Sequence, residues 1–205
     1  MAVQATGTAR GAGQFYWNRR ADLIYYQYVY FVCRVVGRDA RSALDVGSRG
    51  TPFLEWLPWI EERVSLDREI PYASPTVKGI TADFFSFQPE SRYDLTTCLQ
   101  VMEHVPEAGR FGRKLLELSR HLVVSVPYRW GGKVPGHVND PVDLDKLNGW
   151  MDREPNYHLV VAEPFLSRNA QRLIAYYDVD DPARLVSLDD YRARRKSRFK
   201  FARKP

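Results

Sequence analysis

The chain predicts an α/β fold: a seven-stranded, mostly parallel sheet with helices on both faces and an antiparallel last strand. Three observations carry this expectation. Short apolar runs recur at residues 43–46, 64–66, 76–80, 93–99, 122–126, 157–162 and 172–177. The early runs are too short for helices and nearly continuous rather than alternating, as strands buried on both faces are. Helical patterns at 53–60 and 111–119 fall between them, and strands alternating with helices form parallel sheets.

Taken in order, residues 1–14 are small and polar and read as a flexible arm. Residues 15–37 place aromatic and aliphatic side chains at helical spacing (Leu23, Tyr26, Tyr30, with Tyr25, Val29 and Val32 beside them), a long helix ended near Gly37. Its tyrosines suit core and rim packing, and one of them can border a pocket. A homodimer through this aromatic helix is one expectation; burial on its own sheet is the other. The sheet core spans 42–180. The last two runs are joined by a short link at 164–169, which suits an antiparallel hairpin at one sheet edge. Residues 128–150 break the rhythm with glycines, prolines, Trp130 and His137 before a short helix at 141–151. A long link after a strand's carboxyl end is where an open sheet carries a lid over its site.

With 205 residues and 44% apolar side chains the chain makes one domain with a sizeable core. There is no apolar run long enough to span a bilayer and no signal-peptide pattern, so the expected location is cytoplasmic. Cys33 and Cys98 sit in apolar runs without metal-site spacing and read as buried free thiols in a reducing compartment. The net charge of +5 is local. The tail 184–205 holds eight Lys and Arg between Arg192 and Pro205, and the rest of the chain is mildly acidic. Such a tail either is a solvated terminus or touches an anionic partner such as nucleic acid.

The chemistry-bearing positions fall at successive strand ends. The first run delivers Asp45 and turns at Gly47, Ser48 and Gly50; glycine lets a ligand approach the backbone closely. Asp67 ends the second run, where a carboxylate can accept ribose hydroxyls, as in dinucleotide folds. Asp83 ends the third beside Phe84 and Phe85, an acceptor for an exocyclic amine next to aromatic faces. The fourth ends in Gln100-Val101-Met102-Glu103-His104-Val105. Each also has a plainer use: Asp45 can brace its loop, Asp67 can cap a helix, and Glu103 can complement the dipole of a helix it opens.

Together these segments resemble the class I S-adenosylmethionine-dependent methyltransferases, a Rossmann-like fold, over roughly residues 42–178. Gln-Val-Met-Glu-His-Val is the most specific piece, while Arg49 and Thr51 stand where a fuller loop has glycines. The resemblance implies S-adenosylmethionine as cofactor. Asp45, Gly47 and Ser48 would face its methionine and ribose side, and Asp67 its ribose hydroxyls. Asp83 would hold the adenine amine, Phe84 would offer its backbone amide to the ring, and Gln100 would lie near the methionine carboxylate and sulfonium.

In-line methyl transfer needs positioning above all, and a hydroxyl acceptor also needs a base. His137, flanked by Gly136 and Asn139 with Asp140 nearby, is the expected base, with Asp140 orienting it. Asp140 precedes a proline and can instead cap the following helix. Asp140, Asp143 and Asp145 are oxygen donors of the kind magnesium takes, but their spacing is no signature and no metal is expected on that ground. Aromatic rings flanked by Arg129 and aspartates suit a small hydroxylated acceptor, and the Gln-Val-Met-Glu-His segment with its histidine-bearing lid resembles bacterial small-molecule and sugar O-methyltransferases. The expected reaction is methyl transfer to a hydroxyl of a small molecule, a saccharide above others. The competing readings are an RNA or protein methyltransferase guided by the basic tail, and a non-catalytic partner subunit.

Overall fold

Strands β1 (Ser42–Val46), β2 (Glu62–Asp67), β3 (Lys78–Thr81), β4 (Tyr93–Leu99), β5 (Ser119–Pro127), β6 (Tyr157–Ala162) and β7 (Gln171–Asp178) form one sheet in the order β3-β2-β1-β4-β5-β7-β6. The computed structural model describes residues 17–132, 134–163 and 170–186; the predicted arm at 1–14, the link at 164–169 and the tail from 187 onward lie outside these. β1 to β5 pair in parallel, and β7 runs antiparallel to both β5 and β6. The expected sheet and its antiparallel last strand are both present.

Because consecutive strand residues point to opposite faces, β1, β4, β5 and β7 each feed two cores. Leu44, Val46, Leu122 and Val124 pack on one face with Phe111 and Leu115 of α2 (Ala108–Glu117) and Leu147 of α3 (Leu144–Met151). Ala43, Val123, Ile174 and Tyr176 pack on the other with Tyr25, Val29 and Cys33 of α1 (Ile24–Val36). Cys33 and Cys98 are buried and unbridged, and burial pushes both thiols up. Among the described residues no helix is long and apolar enough to cross a membrane.

Several elements depart from the sequence expectation. The helix expected over 15–37 is interrupted: Trp17 and Asn18 are helical, residues 19–22 turn, and Leu23 is extended (φ −65°, ψ 128°), so α1 starts afresh at Ile24. Its first two backbone amides are satisfied by a residue far along the chain: Ile24 N and Tyr25 N donate to the Glu163 carboxylate at 2.9 and 3.0 Å. The helix expected at 53–60 is a single 3-10 turn, Phe53–Trp56. Pro58 explains this, since it lacks an N–H and pushes Leu57 out of the helical region (φ −109°, ψ 52°). Its apolar residues Phe53, Leu54, Leu57 and Ile60 are nonetheless buried. The helix expected at 141–151 begins at Leu144, and its N-cap is Asp143, which accepts from Lys146 N at 3.0 Å. Asp140 therefore does not cap it.

Candidate functional site

The strand order reverses between β1 and β4, and in open α/β sheets ligands bind outside the strand ends at such a reversal. β1 brings Asp45 to this point beside Thr97 of β4, whose hydroxyl donates to Asp45 Oδ1 at 2.6 Å. Burial is the main influence on Asp45 and pushes its carboxyl up to about 7, with the negative charge of Asp67 acting in the same direction. Gly47 follows with φ +77°; a Cβ there would lie 2.5 Å from Val101 Cγ2, so conformation and space both demand glycine.

Asp67 ties the loops after β1 and β2 together. Its Oδ2 accepts from Arg49 N at 2.8 Å, and its Oδ1 from Glu69 N and Ile70 N at 2.8 and 2.9 Å. Asp83 closes a turn by accepting from Phe85 N at 2.8 Å and Ser86 N at 3.2 Å. That turn sets Phe84 against Phe111, with ring centroids 4.5 Å apart. Gln100 has φ +59° and is held to β5 through its backbone N–H to Ser125 O and its Nε2 to Ser125 Oγ, at 2.8 and 3.2 Å. Ser48 is buried, its hydroxyl accepting from Ser65 Oγ at 2.7 Å.

These side chains surround two adjoining hollows. The larger, about 360 Å³, is lined by Gly47, Asp67, Asp83, Phe84, Val101 and His104. The smaller, about 40 Å³, is lined by Asp45, Gly47, Ser48 and Gln100 together with Tyr26 of α1. Gly47 and Arg49 belong to both. All seven residues expected to hold the cofactor thus meet at one place, with Gly47 at the junction.

The lid expectations converge beside the larger hollow. His137 Nδ1 lies 2.5 Å from Asp140 Oδ2, and both side chains are largely buried. The His137 ring stacks on Trp130 and meets His104 edge-on, with centroids 6.0 and 4.7 Å away. His104 Nδ1 is 2.8 Å from Gly136 O, and burial holds this imidazole below its usual value. Asn139 Nδ2 donates to Val105 O at 2.7 Å, fastening the lid to the turn after β4.

That turn corrects one sequence reading. Glu103 does not open a helix; it sits in the 3-10 turn Met102–His104 and is 1% exposed. Burial pushes its carboxyl up to about 8. Among the described residues, the His, Cys, Asp and Glu side chains close enough to share an ion are Glu103, His104 and His137. Of the oxygen donors Asp140, Asp143 and Asp145, Asp140 is engaged with His137 and Asp143 caps α3. Glu163 also escaped the sequence reading: it anchors α1 and lies 3.5 Å from Arg172.

No family model and no curated protein sequence matches this chain. Solved structures do, at low identity. The 1,6-didemethyltoxoflavin-N1-methyltransferase of Burkholderia thailandensis, with bound 1,6-didemethyltoxoflavin and S-adenosylhomocysteine, aligns with TM-score 0.59 and 15% identity over 86% of this chain and 91% of its own. The N-methyltransferase NodS of Bradyrhizobium japonicum WM9, in complex with S-adenosylhomocysteine, gives 0.58 and 13% over 78% and 89%. The N-terminal domain of EvdMO1, in the presence of S-adenosylhomocysteine and D-fucose, gives 0.54 and 14% over 77% and 84%. The fold is the Rossmann-like one these methyltransferase structures share.

Proposed function

We propose that this chain transfers a methyl group from S-adenosylmethionine to a hydroxyl of a small molecule, a saccharide in the first instance. The observation that carries the reading is the meeting at Gly47 of two hollows rimmed by the polar ends of β1, β2, β3 and β4. A larger hollow lined by the carboxylates of Asp67 and Asp83 together with Phe84 suits a nucleoside, and a small annex lined by Asp45, Ser48 and Gln100 suits an amino-acid tail. The neighbours solved with S-adenosylhomocysteine, in the same fold, support that ligand.

When bound, S-adenosylmethionine supplies a methyl group on a sulfonium, already activated for displacement. The chain's own residues then have positioning work. Asp67 takes three backbone amides, and a carboxylate has about four lone-pair sites, so it can accept one ribose hydroxyl without loosening its loops. Asp83 accepts the adenine amine, the Phe84 amide faces the ring, and Ser48 contributes through its backbone. Asp45 and Gln100 flank the methionine end.

A hydroxyl acceptor is favoured by the lid. Asp140 occupies His137 Nδ1 and leaves Nε2 as the open position of the ring, oriented to take a proton. A neutral amine would need no such pair. The EvdMO1 structure with D-fucose supports a saccharide, whereas two other neighbours are N-methyltransferases.

The test is calorimetry with S-adenosylhomocysteine, followed by methyl transfer to a panel of saccharides and amines. Binding is expected together with saccharide methylation, and His137→Ala should lower turnover ~10²-fold or more while leaving S-adenosylhomocysteine affinity intact. Folded protein that binds nothing at millimolar ligand would overturn the enzyme reading. Transfer to amines alone, indifferent to His137→Ala, would overturn the hydroxyl reading.

A further inference from the structure

The corner where the lid meets the turn after β4 holds more polar chemistry than proton transfer requires. Glu103 is buried, and its Oε2 has no hydrogen-bond partner among the described residues. Leaving a buried carboxylate oxygen unpaired is costly, so such an atom points to a missing partner. Near the Glu103 carboxyl lie two imidazoles whose tautomers the surroundings fix. His104 Nδ1 lies against the Gly136 carbonyl and His137 Nδ1 against the Asp140 carboxylate. A carbonyl or carboxylate only accepts, so each Nδ1 carries the proton and each Nε2 keeps its lone pair. His104 Nε2 is 3.9 Å from Glu103 Oε1. One ligand atom from each of Glu103, His104 and His137 lies within 4.8 Å of the others.

We propose that Glu103, His104 and His137 form a binding site for a divalent first-row transition-metal ion. Two imidazoles and a carboxylate are a donor set such ions prefer, while magnesium prefers oxygen alone. Metal-bound histidines generally donate their second ring N–H to a carboxylate or a backbone carbonyl, and both histidines here do. Ligands on one ion lie roughly 3–3.5 Å apart at bond lengths near 2.0–2.2 Å. The 3.9 Å between His104 Nε2 and Glu103 Oε1 is within 1 Å of that spacing, and the His104 side chain is 41% exposed. The Asp140 oxygen not on His137 is buried and unpartnered too, so the positioning carboxylate has capacity to spare.

In placing the acceptor here the inference rests on the proposed methyl transfer; the binding of the ion does not. His137 cannot hold an ion and take a proton through the same nitrogen, so its role as base belongs to the ion-free site. With the ion bound, a hydroxyl coordinated to it is acidified and its proton leaves to water, so His137 serves as a ligand.

The probe is Co(II), titrated into the full chain after chelator treatment and followed by visible absorption. One equivalent is expected to bind. Glu103→Gln and His137→Gln should each weaken binding tenfold or more, and Asp140→Asn ~10–100-fold as the residue that orients His137. Thermal unfolding and S-adenosylhomocysteine calorimetry on the same variants check folding and the cofactor pocket, and both should stay near wild type. No Co(II) binding at millimolar concentration, binding unmoved by these substitutions, or preference for Mg(II) would each overturn the site. Methyl transfer that persists in chelator would overturn the ion's part while leaving the proposed function standing. Co(II) binding without S-adenosylhomocysteine binding would do the reverse.

Discussion

Asp45 sits under the small annex with one oxygen on Thr97, and its carboxyl is pushed up from 3.8 to about 7, chiefly by burial. Two consequences follow. A carboxyl with a raised folded-state value stabilises the fold most below pH ~4 and loses that contribution as pH rises toward 7, by up to ~4 kcal/mol. Urea unfolding across pH 4–7 should therefore show stability falling with pH, and Asp45→Asn should flatten that slope. The second consequence concerns the ligand. An ammonium group beside Asp45 favours the ionised carboxyl, so S-adenosylhomocysteine affinity should rise from pH 5 to about 7, at most tenfold per unit, and then level off. Calorimetry on wild type and Asp45→Asn checks this; a flat wild-type profile would place the ammonium elsewhere. At this scale the strand-end residues were legible because a polar residue closing an apolar run has few reasons to be there. Glu103 was not, since nothing in Met-Glu-His announces that the turn buries its middle residue.

Among the elements, α1 depends on a residue 139 positions away. Glu163 takes the two N-terminal amides of α1 and faces Arg172, which also lies 4.7 Å over the Tyr25 ring. Glu163→Ala would leave a buried guanidinium without its carboxylate and should cost ~3–5 kcal/mol in denaturant unfolding. Asp143→Ala removes only a local cap from α3 and should cost ~1 kcal/mol. The contrast also explains what could be read in advance. Strands were recognisable because burial on both faces leaves continuous apolar runs. The 53–60 segment misled because its apolar residues recur at helical spacing and are buried, while Pro58 forbids the helix. No local pattern could reveal that Glu163 starts α1.

For the whole molecule, the two cores lie on opposite faces of one sheet and the hollows open where its order reverses. A ligand that binds only the folded chain stabilises it by mass action. S-adenosylhomocysteine at 100 times its dissociation constant should add about 2.7 kcal/mol. For a domain of this size that raises the melting temperature by roughly 5–10 °C, measurable by scanning calorimetry. Asp67→Ala should abolish the rise and also lower the unliganded melting temperature, since three loop amides lose their acceptor.

The lid is fastened twice. On one side Tyr128 N and Trp130 Nε1 donate to Gln171 O on β7; on the other Val138 N donates to Glu103 O and Asn139 to Val105 O. Between these anchors lie Gly131 and Gly132, around which a Cβ would meet nothing within 4 Å. Amide exchange should accordingly be fast at those two glycines and slow at Tyr128 and Val138. Opening then becomes a local breathing event of a few residues that leaves the pairing of β7 with its neighbours intact.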